Sequence, residues 1–149
     1  MQYAEKGPEG SRMFMVKIEP GEQVAAGLRE FARAHGIRGA MVSGLGAVSD
    51  AELAWFNRDK KKYYSSKFPE VMELLSLTGN LGMKEDGPVL HAHAVCCGQD
   101  LQPVGGHLVE AVCAVTVEVF MAEAGFAIER KQDPRFGLWL MNLRGPGGR

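Results

Sequence analysis

A single stretch of this chain carries a helical period, and that limits the fold more than any other feature. From Glu22 to His35, the residues Val24, Leu28, Phe31 and His35 fall at i, i+4, i+7 and i+11, one face of an α-helix. Glu22 near its start and Arg33 near its end suit the helix dipole. Gly36 supplies a stop, and Gly27 inside costs about 1 kcal/mol relative to alanine. Everything else reads as short strands punctuated by glycine.

Those strands are expected at Arg12–Ile18, Ala40–Ser43, Val48–Asn57, Val71–Leu81, His91–Cys97, Val112–Met121, Phe126–Arg130 and Phe136–Leu143. In the first, Met13, Met15 and Lys17 share one side, and Phe14, Val16 and Ile18 share the other. Gly44-Leu45-Gly46 reads as a tight bend between two strands, and Arg58–Lys67 as a polar loop or an exposed hairpin end. One helix among about eight short strands predicts an α+β fold with a large, mostly antiparallel sheet. With 149 residues, no internal repeat and no linker, the chain is expected to be a single domain. The domain spans 12–143, between flexible tails at 1–11 and 144–149.

Three of the four histidines lie within His91–His107, reading HAHAVCCGQDLQPVGGH. On a strand, His91 and His93 point to one face. Gly98-Gln99-Asp100 reads as a turn. If a three-residue loop closes a hairpin there, Cys97 pairs with Leu101 and His91 stands directly opposite His107, with His93 a diagonal neighbour. A two-residue loop would flip one strand, and a bulge at Gly105-Gly106 would re-aim it. In the first register three imidazoles converge. Such a set suits zinc, which catalytic sites hold with three protein ligands and a water, or another divalent transition metal such as Ni, Cu or Fe. The plain alternative is a His-x-His pair on a half-exposed strand with no common task.

A metal site needs a group to move protons. Glu73 and Glu118 each sit inside an apolar strand pattern and are the catalytic candidates, with Glu110 a weaker one. The alternative for each is a solvent-facing position on a half-buried strand. Gly44–Ser49 fails as a dinucleotide motif, because Ser49 replaces the third glycine and no helical pattern follows. Arg58, Lys60, Lys61, Lys62 and Lys67, beside Tyr63 and Tyr64, form a basic cluster able to touch phosphates, or simply a solvated loop.

Composition narrows the setting. Lysine and arginine total 17 against 18 acidic residues, a net charge of −1 that argues against a strong global field for nucleic acid or anionic membrane. No run of about 18 apolar residues spans a bilayer, and the polar N-terminus is no signal peptide. Cys96, Cys97 and Cys113 read as buried reduced thiols in a cytoplasmic protein rather than a disulfide framework.

Taken in order, GxGA at Gly44–Ala47, the strand ending LTGN at Asn80, HAH at His91–His93 and GGHL at Gly105–Leu108 resemble the PPC domain, the "plants and prokaryotes conserved" domain. The resemblance covers roughly Arg12 to Leu143. It implies a compact domain with a large antiparallel sheet and one main helix, assembling as a homotrimer. It also implies that His91, His93 and His107 occupy the family's histidine positions, where metal binding is suspected. The family's fold is similar to that of acetolactate decarboxylase, a zinc lyase with its own His-x-His…His set, and this points to a small carboxylate or ketoacid as ligand. In land plants the domain is joined to AT-hook motifs, so the resemblance points toward DNA as well. This chain has no Arg-Gly-Arg-Pro hook; Arg144–Arg149 is only superficially similar. Two functions are therefore expected to compete: a trimeric metal site acting on a small oxygen-bearing molecule, and a non-enzymatic DNA-associated or regulatory module.

Overall fold

The structure is a computed structural model, and it describes residues 1–143. The helix forms where its period places it. Helix α1 (Val24–Ala34) buries Val24, Ala25, Leu28, Phe31 and Ala32 against the sheet. His35 closes it, its ring stacked on Phe31 at 4.1 Å between centroids, and Gly36 follows at φ 64°. The N-terminal amides are served from outside the helix. Glu110 accepts hydrogen bonds from the N–H groups of Ala25 and Ala26 at 2.7 and 2.9 Å. A carboxylate there meets both the unpaired amides and the positive end of the dipole. Glu110 thus ties the helix to the sheet, both its carboxylate oxygens engaged by the helix amides.

Nine strands follow: β1 (Gln2–Lys6), β2 (Met13–Ile18), β3 (Ala40–Asn57), β4 (Lys62–Phe68), β5 (Met72–Lys84), β6 (Gly87–Cys97), β7 (Pro103–Glu123), β8 (Arg130–Asp133) and β9 (Leu138–Met141). The first seven make one sheet in the order β1-β2-β7-β6-β5-β3-β4, with an extra pairing of β7 to β3. All its ladders are antiparallel. The extra pairing closes β3, β5, β6 and β7 into a ring, which removes the edges those strands would otherwise expose. Strands β8 and β9 form a separate hairpin. The expected α+β class, with one helix and a large antiparallel sheet, is what the chain adopts.

Several boundaries differ from expectation, each for a local reason. Residues 2–6, expected in a flexible tail, pair with β2 as an edge strand, because Tyr3 packs on Phe14, Phe31 and His35. The bend expected at Gly44-Leu45-Gly46 is instead an irregularity inside one 18-residue strand. Gly46 is needed there, since a Cβ would stand 2.1 Å from the Thr116 carbonyl oxygen. Arg58–Lys67 is the end of a hairpin, turning at Lys61 (φ 49°) into β4. The strand expected at Phe126–Arg130 is a connecting segment, and β8 begins only at Arg130. The tail expected at 144–149 lies outside the described residues.

The core lies between α1 and the sheet and includes Phe14, Val16, Ile18, Leu28, Leu77 and Met121, all fully buried. The alternation on β2 is as expected: Phe14, Val16 and Ile18 face inward, Met13, Met15 and Lys17 outward. Cys96, Cys97 and Cys113 are buried and unbonded to one another. Among the described residues, no helix is long and apolar enough to cross a membrane.

Candidate metal centre

On β6 the small core residues Ala92 and Ala94 face inward, which turns His91 and His93 to the opposite, outer side. Across the next ladder His107 of β7 faces the same way, directly opposite His93. The ligand-capable atoms of His91, His93 and His107 all lie within 4.8 Å of one another. Their ring centroids are 5.4 to 5.7 Å apart. The structure therefore brings together the three histidines that the sequence singled out.

The register that does so is not the expected one. Cys97 pairs with Pro103, not Leu101, so the loop holds five residues, 98–102, with Leu101 at φ 59°. His93 rather than His91 opposes His107. The ladder is shifted by two residues, and an even shift preserves the faces, so the convergence survives. No bulge interrupts Gly105-Gly106, whose partners are Val95 and Ala94. Gly106 instead lets β3 approach: a Cβ there would stand 2.8 Å from the Ala54 carbonyl oxygen.

Electrostatics favour neutral imidazoles. His107 is pushed down to about 4, first by burial and then by His91, His93 and Arg130. Burial, Arg130 and His93 also lower His91. At neutral pH both rings present a lone pair without first losing a proton, the state a metal requires. The Nδ1 atom of His107 is buried with no hydrogen-bond partner. An unsatisfied buried nitrogen is costly unless something binds it. Nitrogens sharing one zinc stand about 3.4 Å apart, so small imidazole rotations would close the present spacing. The donor set and the orphaned nitrogen both fit a transition metal.

Four further residues frame the cluster. The Tyr63 ring lies 5.0 Å from that of His107, carried there by β4, and burial raises its phenol. Asn80 stands opposite His91, and Thr78 opposite His93. Arg130, only 6% exposed, donates to Asn80 Oδ1 at 2.6 Å. Asn80 belongs to the LTGN motif, but Arg130 lies in an unremarkable stretch that gives no local signal.

The glutamates are elsewhere in the chain. Glu73 is exposed and faces Cys97, four residues along β6 from His93, roughly 13 Å away at strand spacing. Glu118 is exposed between Lys17 and Leu45, eleven residues along β7 from His107. Each takes the solvent side of its strand, the alternative weighed for it, and the chain does not bring either to the histidines. The basic residues sit at the β3–β4 hairpin. Lys60 and Lys62 lie over the Tyr64 ring, Lys67 pairs with Glu52 at 3.6 Å, and Arg58 lies over Phe136.

This architecture is shared by several solved structures. A plant- and prokaryote-conserved (PPC) protein of Pyrococcus horikoshii is 28% identical, with 97% of each chain covered and a TM-score of 0.83. A metal-containing protein of Archaeoglobus fulgidus is 31% identical over 96% of this chain and 99% of its own, with a TM-score of 0.82. A protein of Bacteroides thetaiotaomicron named as a candidate DNA-binding protein is 26% identical over 94% and 96%, with a TM-score of 0.84. No curated protein matches the chain. Residues 5–125 match the Plants and Prokaryotes Conserved (PCC) domain, and the chain belongs to that family.

Proposed function

We propose that this protein is a homotrimeric metal-binding PPC-domain protein that binds, and transforms, a small oxygen-bearing molecule such as a carboxylate or ketoacid. His91, His93 and His107 are the ligands, and zinc is the first choice among divalent transition metals. The observation that carries this reading is the convergence of three ligand atoms within 4.8 Å. The solved relative from Archaeoglobus fulgidus, described as metal-containing, supports it. A bound divalent ion would polarise a substrate oxygen or lower the pKa of a water. The chain's own part is to hold neutral imidazoles in register. With Glu73 and Glu118 distant within the chain, Tyr63 is the titratable group beside His107, and its raised phenol stays protonated as a donor.

Assembly is supported by the outer face of the sheet. Met13, Met15, Met41 and Leu45 are each about half exposed, on strands that flank Phe120 and Ala122 of β7. Met41 continues across the ladder to Asn80, and Asn80 to His91. An apolar surface on that side suits a subunit contact beside the histidines. Buried, unbonded cysteines support a cytoplasmic setting.

Elemental analysis of untagged protein, beside the variant carrying His91→Ala and His93→Ala, tests the metal. About one transition-metal ion per chain, lost in the variant, is expected. A folded wild type that takes up no metal after incubation with zinc would refute the reading. A second reading, a DNA-associated module, draws on the relative named as a candidate DNA-binding protein and on the basic hairpin at Arg58–Lys67. Gel shifts across a salt series decide it, since phosphate contacts weaken steeply with salt. No shift at low salt removes DNA as a partner.

A further inference from the structure

Arg130 is the one buried charged residue among those described, and its partners are unusual for a buried cation. Its guanidinium donates to two neutral acceptors, Asn80 Oδ1 at 2.6 Å and the Trp139 carbonyl oxygen at 3.2 Å. Its Nε is buried with no partner. Among the described residues, no carboxylate lies within salt-bridge distance of it. A buried arginine is normally compensated by an anion, because desolvating the charge costs several kcal/mol per ion. This one is not.

Its position sets the charge beside the histidine cluster. Asn80, which holds the guanidinium, is the direct cross-strand partner of His91. Directly paired residues have Cβ atoms roughly 4.5–5.5 Å apart, so the guanidinium stands one hydrogen bond beyond the residue facing the cluster. Gly82 lets the segment leading to Arg130 approach β5, since a Cβ there would stand 2.5 Å from the Ile128 carbonyl oxygen. Arg130 also lines a cleft with Glu85, Glu129, Lys131 and Trp139, which gives solvent a route to its side chain from the side away from the histidines, none of which lines it. The charge is felt at the histidines, being one cause of the lowered pKa of His91 and of His107. The three-histidine group contains no acidic residue. A divalent ion on neutral imidazoles beside Arg130 would leave a strongly positive site.

We infer that Arg130 is the charge-selecting residue of this site and that the ligand is an organic anion, a small carboxylate with a second oxygen donor. The inference rests on the metal reading for its other half: the metal takes one oxygen, and Arg130 pairs with the carboxylate. Arginine suits this role because its planar fork matches a carboxylate edge. A neutral aldehyde, ketone or alcohol would leave the guanidinium without its counter-charge. The competing role is purely architectural, in which Arg130 only ties the β8–β9 hairpin to β5.

Calorimetric titration with pyruvate and with neutral pyruvamide separates the two. It is run on wild type, Arg130→Gln and Arg130→Lys, each zinc-loaded and chelator-treated. Wild type is expected to prefer pyruvate over pyruvamide by about tenfold or more, the order of a charge-assisted hydrogen bond. Arg130→Gln should lose that preference with zinc stoichiometry unchanged, and Arg130→Lys should keep part of it. Equal pyruvate binding by wild type and a folded Arg130→Gln overturns the inference. So does a wild type that binds both probes alike or neither, a result that stands even if the glutamine variant does not fold. A preference that depends on Arg130 in protein that takes up no zinc would refute the metal reading and leave the anion site, so the two failures are distinguishable.

Discussion

His93 stands directly across from His107 in the β6–β7 ladder, so the histidine cluster is a property of strand register. His91 joins from one step along β6 on the same face, two residues away. The backbone thus positions two of the three imidazoles before any side chain chooses a rotamer. The cluster fails as a unit if the ladder slips by one residue.

If the proposed metal site is real, removing either member of the opposed pair should abolish metal binding. His93→Ala and His107→Ala are each expected to weaken zinc binding by about a hundredfold or more, beyond the loss typical of an outer-sphere partner. His35→Ala removes the remaining histidine, which stacks on Phe31 at the helix end, and should leave zinc stoichiometry unchanged. Elemental analysis, with circular dichroism to establish folding, reads both. Full zinc occupancy in folded His107→Ala would count against the three-histidine site.

The acid behaviour of the metal-stripped protein follows from His107. Its ring stays neutral down to about 4 in the folded chain, while an unfolded histidine takes a proton near the ordinary value of about 6.5. Between these values the unfolded state binds more protons, so stability falls as pH falls from about 6.5 to about 4. Above 6.5 the contribution is complete; below about 4 it is gone. Allowing for partial solvent access, the loss is on the order of 2 kcal/mol. Denaturant melts across that window should show the slope in wild type and a shallower one in His107→Asn. Parallel slopes would mean that the ring is not desolvated as described.

The outcome for the glutamates shows where periodicity stops being informative. Glu73 and Glu118 sit among apolar residues in the sequence, and only the ladder shows which side of the strand each occupies. The same holds for the edge strand Gln2–Lys6, held by a Tyr3 contact with no local signature. The helix and the histidine face were legible because both depend on short-range spacing, 3.6 residues per turn and a period of two. Tyr63 and Arg130 were not, because they reach the cluster from β4 and β8 through long-range pairing. Register fell between these cases. The hairpin loop is two residues longer than expected, and an even shift keeps the face.

The methionine face gives a separate test of assembly. Met15 and Met41 are 50% and 58% exposed, and Phe120 lies across the ladder from Met15. Charging this surface with Met15→Glu and Met41→Glu should leave the core intact, since both side chains point away from it. It should convert the proposed trimer to monomer in light scattering, because a like-charged apolar contact costs several kcal/mol per interface. A wild type that is already monomeric would refute the trimer. A charged variant that remains trimeric would move the contact elsewhere.

Gly79 offers the most direct link between a sequence motif and the site. It is the glycine of LTGN, and it pairs with Ala92, between the Thr78–His93 and Asn80–His91 pairs. A Cβ at Gly79 would stand 2.2 Å from the His91 carbonyl oxygen and 2.7 Å from the Ala92 Cβ. Those neighbours are backbone and a short side chain, so neither can swing aside. Gly79→Ala must push β6 away from β5 where the two histidines are mounted. Overpacking of this severity is expected to cost about 3 kcal/mol or more. In protein that still folds at low temperature, zinc affinity should drop as well. Gly98→Ala is the control: the nearest atom to its added Cβ is Asp100 Oδ1 at 3.9 Å, and a surface change of that kind lies within about 0.5 kcal/mol. Thermal melts and zinc titrations on the two variants read the contrast. If Gly79→Ala melts and binds zinc like Gly98→Ala, the β5–β6 spacing is not what positions His91 and His93.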